Sequence, residues 1–142
     1  MLKLLVKRSF CYTADMKTIL VDAIDGLVLK DGTIFEEMHV MLETFPNRKI
    51  VLTGANKENF EKFGLEAVPY EVFTLEHNPE KADPKYFEAM LENYGLATKE
   101  VLFFEHNPAA VKSAESAGIM TYYYDPISKD IEGLKNFLTE NL

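Results

Sequence analysis

Five short apolar runs, each separated from the next by a helical pattern, restrict the fold of this chain more than any other feature of its sequence. The runs cover residues 19–21, 50–52, 72–75, 101–104 and 119–124. They lack regular alternation of polar and apolar residues, which is typical of strands buried on both faces of a parallel sheet. The order therefore predicts an α/β domain with a doubly wound (Rossmann-like), mostly parallel sheet of about five strands and flanking helices.

Residues suited to helix capping stand where the intervening helices are expected to begin. Thr33 with Glu36 reads as a capping box for the first helix. The later helices are predicted to start at Asn56, Asp83, Asn107 and Asp130, and the second and third of these caps directly precede a proline. Between the first strand and the first helix, residues 27–33 read as a small hairpin with an Asp-Gly turn.

Composition excludes several classes of function. The formal net charge of −8 disfavours a nucleic-acid surface, because binding a phosphate backbone requires clustered Lys and Arg. No apolar run approaches the roughly 20 residues that span a bilayer, so we expect no membrane interaction. Cys11 is the single cysteine, which favours a reducing compartment and predicts a cytoplasmic protein.

The first fifteen residues differ from the rest of the chain. They carry Lys3, Lys7 and Arg8 and no acidic residue before Asp15. Their apolar stretch is too short for a signal-peptide core. We interpret residues 1–15 as an N-terminal extension, such as an added strand or a packed segment, and residues 16–142 as the α/β domain.

Polar residues follow three of the predicted strands at the point where each strand ends. Asp22, Thr53 and Glu105 all come directly after a buried run. In a doubly wound sheet, ligands bind at the carboxyl ends of the strands, so these side chains are expected to meet. A carboxylate at Asp22 can attack phosphorus or bind Mg2+, and Glu105 can bind a divalent ion. Thr53 with the amides of Gly54 and Ala55 can hold phosphate oxygens.

Each of these residues also has a purely structural interpretation. Asp25 with Gly26 is consistent with turn formation alone, and Thr53 with a strand-end cap. Lys81 can neutralise a phosphoryl charge, although most single lysines are solvated. His106 suits softer metals better than Mg2+, and it also reads as a helix-entry residue without a ligand.

Four blocks in a fixed order resemble the motifs of the haloacid dehalogenase (HAD) superfamily. They cover residues 19–26, 50–55, 80–84 and 101–111, and the resemblance extends over residues 16–142. It implies a Mg2+-dependent phosphohydrolase that works through an aspartyl-phosphate. It also implies catalytic roles for Asp22 and Asp25, phosphate binding by Thr53, Gly54 and Lys81, and metal binding by carboxylates of the first and fourth motifs.

The first and fourth motifs depart from the family pattern. Taking Asp22 as the nucleophile of Asp-x-Asp-Gly-Thr leaves Ile24 in the place of the general acid and displaces Asp25 by one position. Aligning on Asp25 instead leaves Ala23 in the nucleophile's place, and we prefer the first alignment because a buried strand fixes register more firmly than a turn. In the fourth motif His106 replaces an Asp, so the metal set becomes Asp22, Glu105 and His106.

These departures predict a HAD-like protein with a degenerate site, weak or no phosphatase activity, and a role in binding a phosphate, another ligand or a protein. One alternative is an active divalent-metal-dependent phosphatase that uses Asp22. A receiver-like signalling domain fits less well, because its phospho-accepting Asp would precede the Thr on a separate middle strand. The intervals between the motifs leave no room for a cap domain, which predicts an open site for a phosphorylated small molecule or macromolecule, or shielding in a homo-oligomer.

Overall fold

Strands and helices alternate along residues 16–142, which are the residues that the structure, a computed structural model, describes. The strands are β1 (Thr18–Asp22), β2 (Lys49–Thr53), β3 (Glu71–Thr74), β4 (Val101–Glu105) and β5 (Met120–Tyr123). The helices are α1 (Glu36–Glu43), α2 (Lys57–Lys62), α3 (Pro84–Tyr94), α4 (Pro108–Ser116) and α5 (Ile131–Asn141). Short 3-10 turns at Leu65–Ala67 and Thr98–Glu100 precede β3 and β4.

The five strands form one sheet in the order β3-β2-β1-β4-β5, and every neighbouring pair is parallel. This confirms the predicted doubly wound α/β fold. The chain builds outward from β1 through β2 to β3 and then returns to place β4 on the other side of β1. The topological switch point therefore lies between β1 and β4, where ligands bind in such sheets.

The core has two layers, one on each face of the sheet. On one face, alternate strand residues such as Ile19 and Val21 pack against α1 and α5. On the other face, Leu20 and Phe103 pack against α3 and α4, and Tyr86 and Phe87 of α3 are fully buried. Burial on both faces explains why the strand sequences are almost uniformly apolar.

The predicted capping box at Thr33 is wrong. Helix α1 begins at Glu36, and Phe35 occupies the cap position without any side-chain hydrogen bond. Asp31 explains the difference, because its Oδ1 accepts hydrogen bonds from the Thr33 hydroxyl at 2.6 Å and from the Thr33 amide at 3.0 Å. The threonine is thus held in the preceding turn and does not cap the helix.

The other four predicted caps are confirmed. The side chains of Asn56, Asp83, Asn107 and Asp130 each accept a hydrogen bond from an amide in the first turn of the helix that follows. Residues 27–33 fold back as predicted, although the strands of this hairpin are reduced to a single antiparallel bridge between Val28 and Ile34. The first three of these caps fix the first turn of the helices that follow the second, third and fourth motifs.

Two predictions concern the limits of the domain. The predicted extension at residues 1–15 lies outside the described residues, so the boundary at Met16 remains a prediction. Within residues 16–142, no cap domain is inserted between β1 and α1 or between β2 and β3. No helix in this part of the chain has the length and apolar character needed to traverse a bilayer.

Candidate active site

Asp22 ends the central strand and is buried beside the switch point, with 1% of its surface exposed. The chain then turns tightly, because the amide of Leu27 donates to the Asp22 carbonyl at 3.0 Å. Gly26 is required at this turn, since a Cβ atom there would lie 2.4 Å from the same carbonyl oxygen. The turn thus fixes the backbone that carries the Asp22 carboxylate.

Lys81 joins the two buried carboxylates at the strand ends. Its Nζ donates to Asp22 Oδ1 at 3.0 Å and to Glu105 Oε1 at 2.7 Å. A further hydrogen bond runs to the Leu52 carbonyl at 3.2 Å. An ammonium group has three N–H donors, so all of the hydrogen-bonding capacity of Lys81 is directed at these acceptors.

His106 holds the other oxygen of Asp22. Its backbone amide donates to Asp22 Oδ2 at 3.0 Å, and its ring Nδ1 lies 2.5 Å from the same atom. Because an ionised carboxylate can only accept, Nδ1 must carry the shared hydrogen. The same Nδ1 lies 3.4 Å from Glu105 Oε2, and the opposite ring nitrogen, Nε2, lies 3.6 Å from Asp25 Oδ2.

Burial and the neighbouring charges shift the pKa values of the groups in this cluster, in several cases in opposite directions. Burial of Asp22 favours its neutral form, but the Lys81 charge and the His106 hydrogen bond outweigh it and hold the pKa of Asp22 below its usual value. Burial and the neighbouring Asp22 charge raise the pKa of Glu105 to about 7. Burial opposes the charge of Lys81, yet Asp22 and Glu105 raise its pKa. The hydrogen bond to Asp22 raises the pKa of His106.

Thr53 and the residues after it form the neighbouring wall of the site. Thr53 is buried at the end of β2, and its Oγ1 accepts a hydrogen bond from the Ala55 amide at 3.1 Å. The hydroxyl hydrogen remains able to donate to a ligand. A Cβ atom on Gly54 would lie 3.4 Å from His77 Nδ1, an ordinary van der Waals distance, so the His77 ring borders this wall.

Tyr86 stabilises this wall through its hydroxyl, and the sequence did not predict this role. Its buried hydroxyl donates to the Thr53 carbonyl at 2.7 Å and to the Phe73 carbonyl at 3.2 Å, which ties the ends of β2 and β3 together. Its only sequence signal was a place in the first turn of the helix after Lys81. A tyrosine there cannot be distinguished from an ordinary core aromatic.

These groups open into a cleft of about 320 Å³ at the carboxyl edge of the sheet. The predicted site residues that line it are Asp22, Thr53, Gly54, Lys81, Glu105 and His106. At its mouth His77 lies 2.6 Å from Glu80 and 3.3 Å from Asn59, an arrangement that the sequence did not indicate. Asp25 does not line the cleft, and its Oδ2 pairs with Lys30 Nζ at 2.9 Å.

Comparison with solved structures identifies the fold. A HAD family enzyme from Bacteroides thetaiotaomicron, an alanine mutant in complex with magnesium and inorganic phosphate, superposes with a TM-score of 0.64 and 14% identity, over 79% of this chain and 95% of that one. A hydrolase from Streptococcus pneumoniae TIGR4 gives 0.57 and 21% identity, over 75% of this chain and 57% of that one. The chain has a HAD-like fold.

A protein provisionally assigned as a beta-phosphoglucomutase from Thermotoga maritima has the same fold, with a TM-score of 0.53 and 21% identity over 75% of this chain and 59% of that one. The chain thus spans less than two thirds of this protein and of the Streptococcus hydrolase. No protein-family model matches the sequence, and no curated protein matches it.

The donor atoms of the buried cluster beside β1 differ from those of a magnesium site. Asp22, Glu105 and His106 form a group whose nearest donor atoms all lie within 4.8 Å of one another. The two carboxylates suit Mg2+, which prefers oxygen ligands, but the imidazole nitrogen does not. One oxygen of each carboxylate is also bound to Lys81. The residues therefore do not match the ion that the family resemblance implies.

Proposed function

We propose that this HAD-like protein binds a phosphorylated group at the carboxyl ends of β1 and β2 and hydrolyses it slowly or not at all. The observation that carries the proposal is the engagement of both oxygens of Asp22. Oδ1 is paired with Lys81, and Oδ2 accepts hydrogen bonds from the ring and the amide of His106.

A carboxylate in this state is a poor nucleophile. Attack on phosphorus requires one oxygen to approach in line with the leaving group, and charge-assisted hydrogen bonds stabilise the carboxylate before it reacts. The lowered pKa of Asp22 also indicates a weak nucleophile, because Lys81 and His106 already stabilise its negative charge. Releasing Oδ2 requires the loss of two hydrogen bonds from His106.

The general-acid position of the family pattern has lost its carboxyl group. The side chain two residues after Asp22 is Ile24, which lines the cleft and cannot transfer a proton. Asp25 instead faces Lys30 and the outer nitrogen of His106. General acid–base catalysis contributes roughly a hundredfold to ten-thousandfold in rate, so this substitution alone supports slow turnover.

The binding half of the site retains suitable groups. The hydroxyl of Thr53 and the backbone after it border the cleft, and Lys81 supplies a partly buried positive charge. The bond from Lys81 to the Leu52 carbonyl is the longest of its three, at 3.2 Å, and is the one most easily exchanged for a phosphoryl oxygen. The lack of a cap domain in residues 16–142 leaves the cleft open to a phosphorylated small molecule or macromolecule.

The proposal is tested by hydrolysis of an aryl phosphate with Mg2+ or Mn2+. The rate of the wild type is expected to equal that of Asp22→Asn, which removes the nucleophile. A double variant, Ile24→Asp with His106→Asp, restores the family's residues, and its rate is expected to rise above both. Turnover by the wild type that Asp22→Asn abolishes would overturn the proposal.

The same assay covers the second candidate function, an active metal-dependent phosphatase with Asp22 as nucleophile. Proximity of the donor atoms of Asp22, Glu105 and His106, within 4.8 Å, favours it. This candidate predicts a metal-dependent wild-type rate and a lower rate in the Asp22→Asn variant.

A further inference from the structure

We propose that residues 1–15 bind along the groove between helices α1 and α5, with their basic side chains against the acidic rim of that groove. Both helices cover the same face of the sheet, and their buried residues belong to one core layer. None of the described residues that line this groove also lines the active-site cleft. The inference therefore goes beyond the proposed function and does not depend on it.

The floor of the groove is apolar. It is lined by Val40 and Met41 of α1 and by Ile131 of α5, around a volume of about 370 Å³. Val40 lies in the middle of its helix and is 62% exposed. A single exposed apolar side chain is ordinary on a protein surface, but one that lies within an apolar groove is typical of a contact surface. We therefore expect an apolar segment to cover Val40.

Three exposed glutamates form the rim of the groove. Glu36 and Glu37 lie in the first turn of α1, and Glu132 lies in the first turn of α5. Acidic residues at these positions stabilise the start of a helix, which accounts for each glutamate separately. Around one apolar groove they also select its occupant. Among the described residues that line the groove, Lys135 is the one with a positive charge, so the groove favours a segment that is both basic and apolar.

Residues 1–15 have this combination of basic and apolar side chains. They carry three basic side chains and, in Asp15, one acidic side chain. Lys3 and Lys7 flank an apolar run at residues 4–6. A second copy of the chain is a poorer occupant, because each copy has a formal net charge of −8 and would be repelled by the acidic rim. Charge complementarity therefore favours the chain's own first fifteen residues.

Lys17, two residues after the segment, lies between the C-terminal ends of the two helices that form the groove. Its carbonyl accepts a hydrogen bond at 2.8 Å from Nδ2 of Asn47, which follows the last residue of α1 by four positions. Its Nζ donates at 2.8 Å to the carbonyl of Asn141, the last residue of α5. Thr44, directly after α1, lines the groove. The segment therefore joins the domain at the same end of the groove as Thr44.

The segment is long enough to reach the rim at the opposite end of the groove. Helix α1 has 8 residues, which corresponds to a length of about 12 Å. Lys7 and Arg8 precede Met16 by nine and eight positions. Eight residues span about 12 Å as a helix and about 26 Å as a strand. In either conformation the two basic side chains can lie beside Glu37 and Glu132.

Alkylation of Cys11 by uncharged iodoacetamide tests the inference, because this single cysteine lies within the segment. The rate in urea divided by the rate under native conditions, both measured by mass spectrometry, gives a protection factor for each variant. For the wild type we expect a factor of about ten or more, equivalent to about 1.4 kcal/mol of binding free energy. Glu37→Lys with Glu132→Lys is expected to abolish the protection, and so is Lys7→Glu with Arg8→Glu. Combining all four substitutions is expected to restore it.

Glu88→Lys with Glu92→Lys is the matched control, because it makes the same charge change at two exposed positions of α3, on the opposite face of the sheet. It is expected to keep the wild-type protection factor. Far-UV circular dichroism and thermal unfolding establish that each variant is folded.

Four results would overturn the inference. They are no protection of Cys11 in the wild type, equal protection in the rim variant and the α3 control, no recovery in the combined variant, and protection that is lost when a dimer is diluted. The last would assign the groove to a second copy of the chain. No substrate enters this assay, so failure of the inference and failure of the proposed function are distinguishable.

Discussion

Lys81 holds the site together at the scale of single residues. Its Nζ donates hydrogen bonds to both buried carboxylates, at 3.0 and 2.7 Å. Without it, Asp22 and Glu105 would place two negative charges in the interior at the end of adjacent strands. A buried ion pair contributes little net stability when intact, but removing one partner leaves an uncompensated charge.

Lys81→Met is therefore expected to lower the free energy of unfolding by about 3 kcal/mol or more, measured by urea denaturation. Lys85→Met, at an exposed position in the first turn of α3, is the matched control and should change stability by less than about 0.5 kcal/mol. Adding Glu105→Gln to Lys81→Met removes one of the stranded charges and should recover part of the loss. Equal stability of Lys81→Met and Lys85→Met would contradict the bridging role of Lys81.

Single residues also show how far the sequence could predict the site. Asp22, Thr53 and Glu105 were predictable as neighbours because they end adjacent parallel strands, and the structure places them in one cleft. The partners of Asp22 were not predictable, because a side-chain rotamer decides whether His106 points toward a metal position or bonds to a carboxylate. The catalytic, phosphate-binding and metal-binding roles of these residues remain predictions.

At the scale of elements, the turn after β1 and helix α3 determine where the site residues lie. The turn requires Gly26, and α3 carries Tyr86, whose hydroxyl donates to carbonyls at the ends of β2 and β3. The order of strands and helices was predictable from apolar runs and caps. The roles of Gly26 and Tyr86 were not predictable, because they depend on close backbone approach or on contacts between residues that are distant in the sequence.

Tyr86→Phe removes the hydroxyl that donates to the carbonyls of Thr53 and Phe73. We expect a loss of about 1–2 kcal/mol in the free energy of unfolding, because both carbonyls then lose a buried donor. Tyr94→Phe, in the same helix, is the control, since Tyr94 is only partly buried and its ring contacts are kept. A larger loss in Tyr94→Phe than in Tyr86→Phe would show that the Tyr86 hydroxyl does not support the strand ends.

Gly26→Ala places a Cβ atom 2.4 Å from the Asp22 carbonyl oxygen and 2.9 Å from the Asp22 Cβ. The turn must shift, and we expect a loss of roughly 1–3 kcal/mol in the free energy of unfolding. The shift should also change amide chemical shifts at Asp22 and His106. Gly95→Ala, which meets no atom within 4 Å but has a positive φ, is expected to lose only about 1 kcal/mol and to leave those shifts unchanged.

At the scale of the whole molecule, a single parallel sheet brings three chain segments to one edge. The switch point beside β1 collects Asp22 from the first strand, Lys81 from the loop before α3 and Glu105 from β4. The α/β fold class was predictable because strand burial, four of the five caps and motif order all indicate it. Whether the site binds or catalyses was not predictable, because this depends on differences of a few tenths of an ångström in the distances among buried charges.

The most direct test of the account is a 31P NMR time course of an aryl phosphate with stoichiometric protein and Zn2+ or Mg2+. One spectrum reports both binding, through broadening of the substrate resonance, and turnover, through growth of the inorganic phosphate resonance. We expect broadening that is reduced in Thr53→Val, which lacks the hydroxyl, and no growth of inorganic phosphate beyond that of Asp22→Asn. Growth that Asp22→Asn abolishes, or the absence of any broadening, would contradict the account.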